Sequence, residues 1–205
     1  MGFDLDMTLV DSRPGILATL SALQAETGAP VAADDMLDSL LRRNLDLEFG
    51  DRFAPPEALR LADRFRDLYA DLGVPGTHLL PGAAEAVACV HERGGKVVVI
   101  TAKYEPNARR CLDQVGLRVD LAADALDGWR YGPGKADALV EHGAAAYAGD
   151  TPNDVKAAIT AGAHMVGVAT GPHAAHELST AGAPDVLSSL DEFPGWLDGW
   201  LRNRH

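Results

Sequence analysis

After residue 80, short apolar runs alternate with segments of helical pattern along the rest of the chain. KVVVIT at 96–101 is rich in β-branched residues, as strands buried in a parallel sheet are. Similar runs follow at 144–150 (AAAYAGD), 164–170 (HMVGVAT) and 184–190 (PDVLSSL), with helical segments between them. This alternation predicts an α/β fold, a doubly wound parallel sheet with helices on both faces.

The stretch between the first predicted strand and this series is helical throughout. It contains three helical segments that end at Gly28, Gly50 and Gly73, and glycine is typical just after a helix. Connections between a strand and the next element usually take about 2–6 residues, so an insertion of this length predicts a separate helical unit. We therefore expect an α/β core formed by 1–13 and 80–205, with a helical cap at 14–79.

Composition excludes several classes of function. The chain has 205 residues, is 47% hydrophobic and carries a formal charge of −12, with no cluster of Lys and Arg. Binding to nucleic acid needs such a cluster, so nucleic acid is not an expected partner. No apolar run is long enough for a membrane span. The two cysteines, Cys89 and Cys111, lie in predicted helices and form no spaced framework, which predicts free thiols in a reducing cytoplasm.

Polar side chains are concentrated where the predicted strands end. Ligands of open α/β sheets bind at the carboxyl ends of the strands, so these side chains are expected to converge at one edge. The set comprises Asp4, Asp6, Thr8, Thr101, Lys135, Asp150 and Asp154. Several carboxylates at one place need a cation, and Mg²⁺ prefers oxygen ligands. A carboxylate outside the metal's direct shell can act as a nucleophile toward phosphorus.

Four motifs occur in this order: DLDMT at 4–8, VITA at 99–102, GK at 134–135 and GDTPND at 149–154. Together they resemble the motifs of haloacid dehalogenase-like hydrolases, and the opening FDLDMTLVDSRPGI resembles the phosphoglycolate phosphatase-type members. The resemblance covers the whole chain, because these members carry a helical cap at the same place.

The resemblance implies a role for each core residue. Asp4 would be the nucleophile and Asp6 the acid and base, with Thr101 and Lys135 binding the phosphoryl group. Asp4, Asp6, Asp150 and Asp154 would form the Mg²⁺ site, with Asp154 either a ligand or a residue that orients one. Asp6 favours a phosphate ester as the substrate, because dehalogenating members lack this second acid. The implied substrate is a small phosphorylated metabolite such as phosphoglycolate.

Other interpretations stay open on the sequence alone. A phosphomutase or phosphotransferase would use the same aspartyl-phosphate, and a phospho-acceptor module or an inactive relative used for binding would share parts of the motif set. Asp150 or Asp154 would serve a structural purpose if it capped the helix that starts near Pro152. The sequence does not predict an oligomeric state.

Residues outside the core motifs give weaker signals. Arg42 and Arg43 are candidates for binding an anionic tail of the substrate, with a solvated helix face as the alternative, and Ala102 is a further candidate for substrate contact. Lys103 and Tyr104 closely follow Thr101, so they could line the entrance to the site, but we expect them to be exposed to solvent. We expect His173 and His176 to be surface residues. Met7 stands where the resemblance would place a glycine, which predicts an altered loop or a bulky side chain near the substrate.

Overall fold

The computed structural model describes residues 1–31, 33–119 and 125–203. In this part of the chain, six parallel strands form the central sheet, in the order β5-β4-β1-β6-β7-β8. Their bounds are β1 Gly2–Phe3, β4 Val98–Ile100, β5 Ala125–Asp127, β6 Ala146–Gly149, β7 His164–Val168 and β8 Asp185–Leu187. The predicted parallel sheet is thereby confirmed. Strand β5 was not predicted from the sequence.

Strand β1 is very short but lies at the centre of the sheet. Gly2 pairs with Val98 on one side and with Tyr147 on the other. Backbone hydrogen bonds extend the pairing beyond both ends, from Val98 N to Met1 O and from Asp4 N to Ala148 O, each 2.9 Å long. Two neighbours therefore hold in place a strand that its own length would not stabilise.

Helices cover both faces of the sheet, as a doubly wound fold requires. Their bounds are α5 Ala83–Glu92, α6 Glu105–Gln114, α7 Pro133–Glu141, α8 Pro152–Ala161, α9 Ala175–Ala181 and α10 Phe193–Arg202. Side chains alternate along β4, so that Val99 packs with α5, α6 and α10 while Val98 and Ile100 pack with α7, α8 and α9. Cys89 and Cys111 are buried free thiols, as predicted.

The helical insertion has an apolar cluster of its own. Its helices are α1 Arg13–Thr27, α2 Ala33–Arg42, α3 Leu45–Arg52 and α4 Pro55–Leu68, followed by a π-helical turn at Tyr69–Gly73 and a 3₁₀ turn at Val74–Gly76. Leu20, Leu23 and Leu61 are fully buried in this cluster, which Cys111 of α6 joins from the core. Asn44 separates α2 from α3 by accepting a hydrogen bond from Asp46 N, and α3 continues past Gly50. The segment that was expected to end at Gly50 is therefore two helices.

A two-stranded antiparallel sheet closes the base of the insertion. Strand β2 (Val10–Asp11) pairs with β3 (His78–Leu79), which brings the two ends of the helical unit together. The sequence did not predict this small sheet, because neither strand has a residue pattern longer than two positions. Among the described residues, no helix combines the length and apolar character that crossing a membrane requires.

Candidate active site

The carboxyl ends of three neighbouring strands bring the predicted core residues together. Asp4 follows β1, Thr101 follows β4 and Asp150 follows β6, and all three side chains are buried. Strand β1 lies between β4 and β6 in the sheet. The strands β4 and β5 continue outward on one side of β1, and β6, β7 and β8 continue outward on the other, so the strand order reverses at β1. Crevices at such points are where open α/β sheets bind ligands.

Lys135 links two of the buried carboxylates. It lies in the first turns of α7, and its Nζ is 3.0 Å from Asp4 Oδ1 and 2.6 Å from Asp154 Oδ1. Burial alone would lower the pKa of Lys135, but the charges of Asp154 and Asp4 more than offset this and raise it. Lys135 is therefore a permanent cation beside the candidate nucleophile, and an ordinary surface position is excluded for it.

Asp154 is held by hydrogen bonds on both of its oxygens. Oδ1 accepts bonds from Lys135 and from the Tyr147 hydroxyl, and Oδ2 accepts bonds from the backbone N and the hydroxyl of Thr151. Thr151 in turn caps α8, so Asp154 completes a reciprocal capping box. Asp154 thus takes part in the helix cap, whereas Asp150 does not.

Asp4 and Asp150 differ from Asp154 because each has an oxygen with no hydrogen-bond partner among the described residues. These atoms are Asp4 Oδ1, whose contact with Lys135 has ion-pair distance but not hydrogen-bond geometry, and Asp150 Oδ2. The other oxygen of Asp150 accepts a bond of 2.9 Å from the Thr8 hydroxyl. One oxygen from each of Asp4, Asp150 and Asp154 lies within 4.8 Å of the other two.

Burial raises the pKa of Asp4 to about 7, reinforced by the nearby Asp154 and Asp6 and opposed by Lys135. Burial also raises the pKa of Asp150 well above its usual range, with the charges of Asp154 and Asp4 acting in the same direction. Carboxylates in such a place need a further cation to remain ionised. Asp4 and Asp150 each have an unpartnered oxygen, and Asp4, Asp150 and Asp154 lie close together with Lys135 as the lysine between them. This arrangement fits a hard divalent cation such as Mg²⁺.

Asp6 has a partner that the sequence analysis missed. The Nζ of Lys103 is 2.8 Å from Asp6 Oδ1 and 4.2 Å from the centre of the Tyr69 ring, and only 11% of the Lys103 side chain is exposed. Burial alone would lower the pKa of Lys103, but the charge of Asp6 outweighs it and raises the pKa. The expectation that Lys103 is exposed to solvent was wrong. Its position three residues after the end of β4 is the signal that marked the other strand-end residues.

Met7 explains how the loop after β1 is built. Its φ of 59° is left-handed, which is the reason a glycine is suited to this position. The side chain is almost fully buried, and the backbone carbonyl accepts a hydrogen bond of 2.6 Å from the Thr170 hydroxyl. The loop therefore has the backbone that glycine would adopt, while packing of Met7 offsets the cost of the left-handed conformation, about 1–2 kcal/mol.

The predicted substrate-contact residues line one cavity with the carboxylates. Arg42, Arg43 and Ala102 face it together with Asp4, Asp6, Thr101 and Lys135. Arg42 donates a bond of 3.0 Å to Pro172 O and lies 3.4 Å from His173 Nδ1, so it joins the helical unit to the core. Arg43 pairs with Asp51 at 2.8 Å. Both arginines are ion-paired, and 38% of the Arg42 side chain and 35% of the Arg43 side chain are exposed.

Arg66 and Trp129 line the same cavity but were not singled out as candidates for substrate contact. The guanidinium of Arg66 lies 5.0 Å from the centre of the Trp129 ring, and its side chain is only 10% exposed. His173 is packed beside Arg42 rather than exposed, whereas His176 is at the surface as expected.

Comparison with known proteins identifies the family. The family model described as haloacid dehalogenase-like hydrolase matches residues 1–158, and a second model, described as HAD-hydrolase-like, matches 135–193. The chain belongs to the haloacid dehalogenase-like hydrolases. It is an enzyme of the phosphatase type within that family.

Relatives in this family match nearly the whole chain. A phosphoglycolate phosphatase from Caulobacter vibrioides is 31% identical over 95% of this chain and 88% of its own length. One from Vibrio parahaemolyticus is 28% identical over 94% and 92%. A haloacid dehalogenase-like hydrolase from Streptococcus pneumoniae has the same fold, with a TM-score of 0.81 at 18% identity over 96% of both chains. A hydrolase from Pseudomonas syringae gives 0.78 at 23% identity over 97% of both.

Proposed function

We propose that this haloacid dehalogenase-like phosphatase is a Mg²⁺-dependent enzyme that hydrolyses a small phosphate monoester, of which phosphoglycolate is the first example to test. An aspartyl-phosphate on Asp4 is the proposed intermediate. The observation that carries the proposal is the buried Asp4 carboxylate, paired with Lys135 and sharing one cavity with Asp6. The names of the relatives from Caulobacter and Vibrio support phosphoglycolate as the substrate.

In the proposed reaction, the two acids of the first loop, Asp4 and Asp6, have different roles. An oxygen of Asp4 attacks phosphorus, the bond from phosphorus to the ester oxygen breaks, and Asp6 donates a proton to the departing oxygen. Asp6 then takes a proton from a water that attacks the aspartyl-phosphate, which releases phosphate and restores Asp4. Lys135 and Thr101 bind the phosphoryl oxygens, where negative charge is concentrated.

The cation would be held by a carboxylate oxygen of Asp4 and by the unpartnered oxygen of Asp150, with the backbone carbonyl of Asp6 as a further ligand. When bound, Mg²⁺ would neutralise charge on the carboxylates and on the phosphoryl group. The four hydrogen bonds on Asp154 support a role for it in orienting Lys135 and the loop after β6, rather than as a direct ligand.

Residues 14–79 form the proposed cap over a core of 1–13 and 80–205. The apolar cluster of the helical unit and the small β2–β3 sheet at its base support this division. With Arg42 bound to the Pro172 carbonyl, the cap lies against the core and restricts the site to small substrates. Arg43 and Ala102 are proposed contacts of the substrate's anionic tail. The buried free thiols agree with a cytoplasmic enzyme, and we propose neither nucleic acid nor a membrane as partner.

The direct experiment is a screen of small phosphate esters with purified protein. We expect release of inorganic phosphate that depends on added Mg²⁺, with phosphoglycolate among the substrates. Product analysis separates hydrolysis from phosphoryl transfer, because a mutase would return an isomeric ester instead of free phosphate. Absence of Mg²⁺-dependent phosphate release from every ester would overturn the proposal.

Lys103 is predicted to position the proposed acid, Asp6. Lys103→Met keeps the buried stem but removes the ammonium group 2.8 Å from Asp6 Oδ1. Because a misplaced catalytic group costs on the order of 100-fold in rate, we expect kcat to fall by about 10- to 100-fold with a much smaller change in KM. Steady-state kinetics test this, with Lys156→Met on the exposed face of α8 as the control. An unchanged kcat in Lys103→Met would show that Asp6 needs no such partner.

Gly171→Ala tests the metal site without altering any charge. A Cβ added at Gly171 would lie 1.8 Å from Asp150 Oδ2, so the carboxylate or the loop has to move. Displacing groups that orient metal ligands typically costs about 10- to 100-fold in affinity, and we expect the apparent Mg²⁺ affinity to fall by that amount. Titration of activity and of thermal stability with Mg²⁺ measures the effect. Gly195→Ala is the control, because nothing lies within 4 Å of its added Cβ.

A further inference from the structure

Trp129 has an unfavourable backbone conformation and is unusually exposed for a large aromatic residue. Its φ is 61°, in the left-handed region that non-glycine residues rarely adopt, and 53% of its surface is exposed. The other left-handed non-glycine residue in the described chain, Met7, offsets the cost by packing in the interior, which Trp129 does not. Strained residues that packing does not explain are concentrated at functional sites.

The Trp129 ring belongs to a fixed aromatic surface. Its centre lies 5.2 Å from that of Tyr104, with the two planes at 88°. Trp129 N donates a bond of 2.8 Å to Lys103 O, and Arg130 N donates one of equal length to Thr101 O. The loop is thus attached to the same strand end that carries Thr101, and the ring has a defined place relative to the phosphoryl site.

Aromatic residues make up a larger share of the lining of the cavity above Asp4 than of the chain as a whole. The chain has three Trp, four Tyr and five Phe, and three of the four Tyr line this cavity together with Trp129 and Phe65. A leaving group as small and polar as glycolate presents no flat apolar surface to such a wall. Arg66 lies over the face of Trp129, with its charge paired with Asp46 and Asp63.

We propose that the leaving group of the natural substrate carries a planar unsaturated ring, which packs against the edge-to-face pair of Trp129 and Tyr104 beside Arg66. The inference rests on the proposed phosphatase function and specifies the substrate class of that site. Phosphoglycolate would then be a weaker substrate that reaches the catalytic residues without using the aromatic wall. Trp129 and Tyr104 are the specificity-determining residues in this proposal.

A matched pair of esters tests the proposal with the full-length enzyme. Benzyl phosphate and cyclohexylmethyl phosphate have leaving groups of similar size, but only the first is planar. Aromatic pairs gain about 0.5–1.5 kcal/mol beyond the area they bury, so we expect kcat/KM for benzyl phosphate to be higher by about two- to tenfold. Uridine 5′-monophosphate is tested alongside these two esters. Comparison of its kcat/KM with that of benzyl phosphate distinguishes a nucleoside leaving group from a smaller arylmethyl leaving group.

Two variants at Trp129 separate recognition from a structural role. Asn tolerates the left-handed conformation but has no ring, whereas Phe keeps a ring. We expect the preference for benzyl over cyclohexylmethyl phosphate to vanish in Trp129→Asn and to persist in Trp129→Phe. Equal losses for both esters in Trp129→Asn would mean that the residue only attaches the cap to the core through Arg66, and would overturn the proposal.

The remaining outcomes are equally decisive. Equal kcat/KM for the two esters in the wild-type enzyme overturns the ring subsite, even if both are hydrolysed. If no ester is hydrolysed, the proposed function is wrong. Calorimetric measurement of the binding of the same two esters then tests the ring subsite independently of turnover. Tighter binding of benzyl phosphate that Trp129→Asn removes would support the subsite, and equal binding would overturn it.

Discussion

Asp4→Asn is expected to abolish Mg²⁺-dependent hydrolysis of phosphate esters while leaving the fold intact. The amide cannot replace the carboxylate oxygen that attacks phosphorus, and loss of a nucleophile commonly costs on the order of 10⁶-fold in kcat. We expect a fall of at least about 10⁴-fold, measured with p-nitrophenyl phosphate and with the best ester of the screen.

The fold of this variant should survive for an electrostatic reason. The pKa of Asp4 is raised to about 7 because burial disfavours its charge, so the amide removes an unfavourable buried charge. Lys135 keeps Asp154 as a partner at 2.6 Å. Thermal melting should therefore give a midpoint no lower than that of the wild type.

Asp137→Asn is the matched control, since Asp137 is exposed on α7 and its loss changes the net charge equally. Full activity in the control and none in Asp4→Asn is the expected pattern. Mass spectrometry after brief incubation with substrate should detect a phosphoryl adduct on the wild type only. Undiminished turnover by Asp4→Asn would show that another group attacks phosphorus.

Asp150→Asn is expected to separate metal binding from folding. Asp150 is almost fully buried with one unpartnered oxygen, and burial raises its pKa well above the usual range. The neutral side chain removes this charge but leaves the cation with one anionic ligand fewer. We expect the metal-free variant to melt at a higher temperature than the metal-free wild type, and its Mg²⁺-dependent activity to fall by at least about 100-fold.

Mg²⁺ titration of thermal stability tests the same point without turnover. A ligand at 100 times its Kd stabilises by about 2.7 kcal/mol, which for a chain of this size is a rise of about 5–10 °C in Tm. We expect this rise in the wild type and in Asp137→Asn, and little or none in Asp150→Asn. A full Mg²⁺-dependent rise in Asp150→Asn would contradict the placement of the metal at this carboxylate.

The core residues were predictable because each stands at a boundary that the sequence marks. Asp4, Thr101 and Asp150 follow apolar runs, and parallel strands bring such positions to one edge of a sheet. Lys135 was identified by its motif, and the structure gives the reason for its burial in the ion pairs with Asp4 and Asp154. Strand β5 and helix α10 were missed, and with β5 the loop that brings Trp129 to this edge was missed as well.

The parallel α/β fold, the helical insertion and the set of acids at the strand ends were predictable from the chain alone, because these depend on periodicity and on short-range order. The folded arrangement was needed to show that Lys103 pairs with Asp6 and that Trp129 meets Arg66. It was also needed to show that both oxygens of Asp154 have hydrogen-bond partners while one oxygen of Asp150 has none. Each of these contacts joins segments distant in the chain or depends on side-chain direction. Pairing and burial arise when the sheet and the helical unit pack together, and no local pattern encodes them.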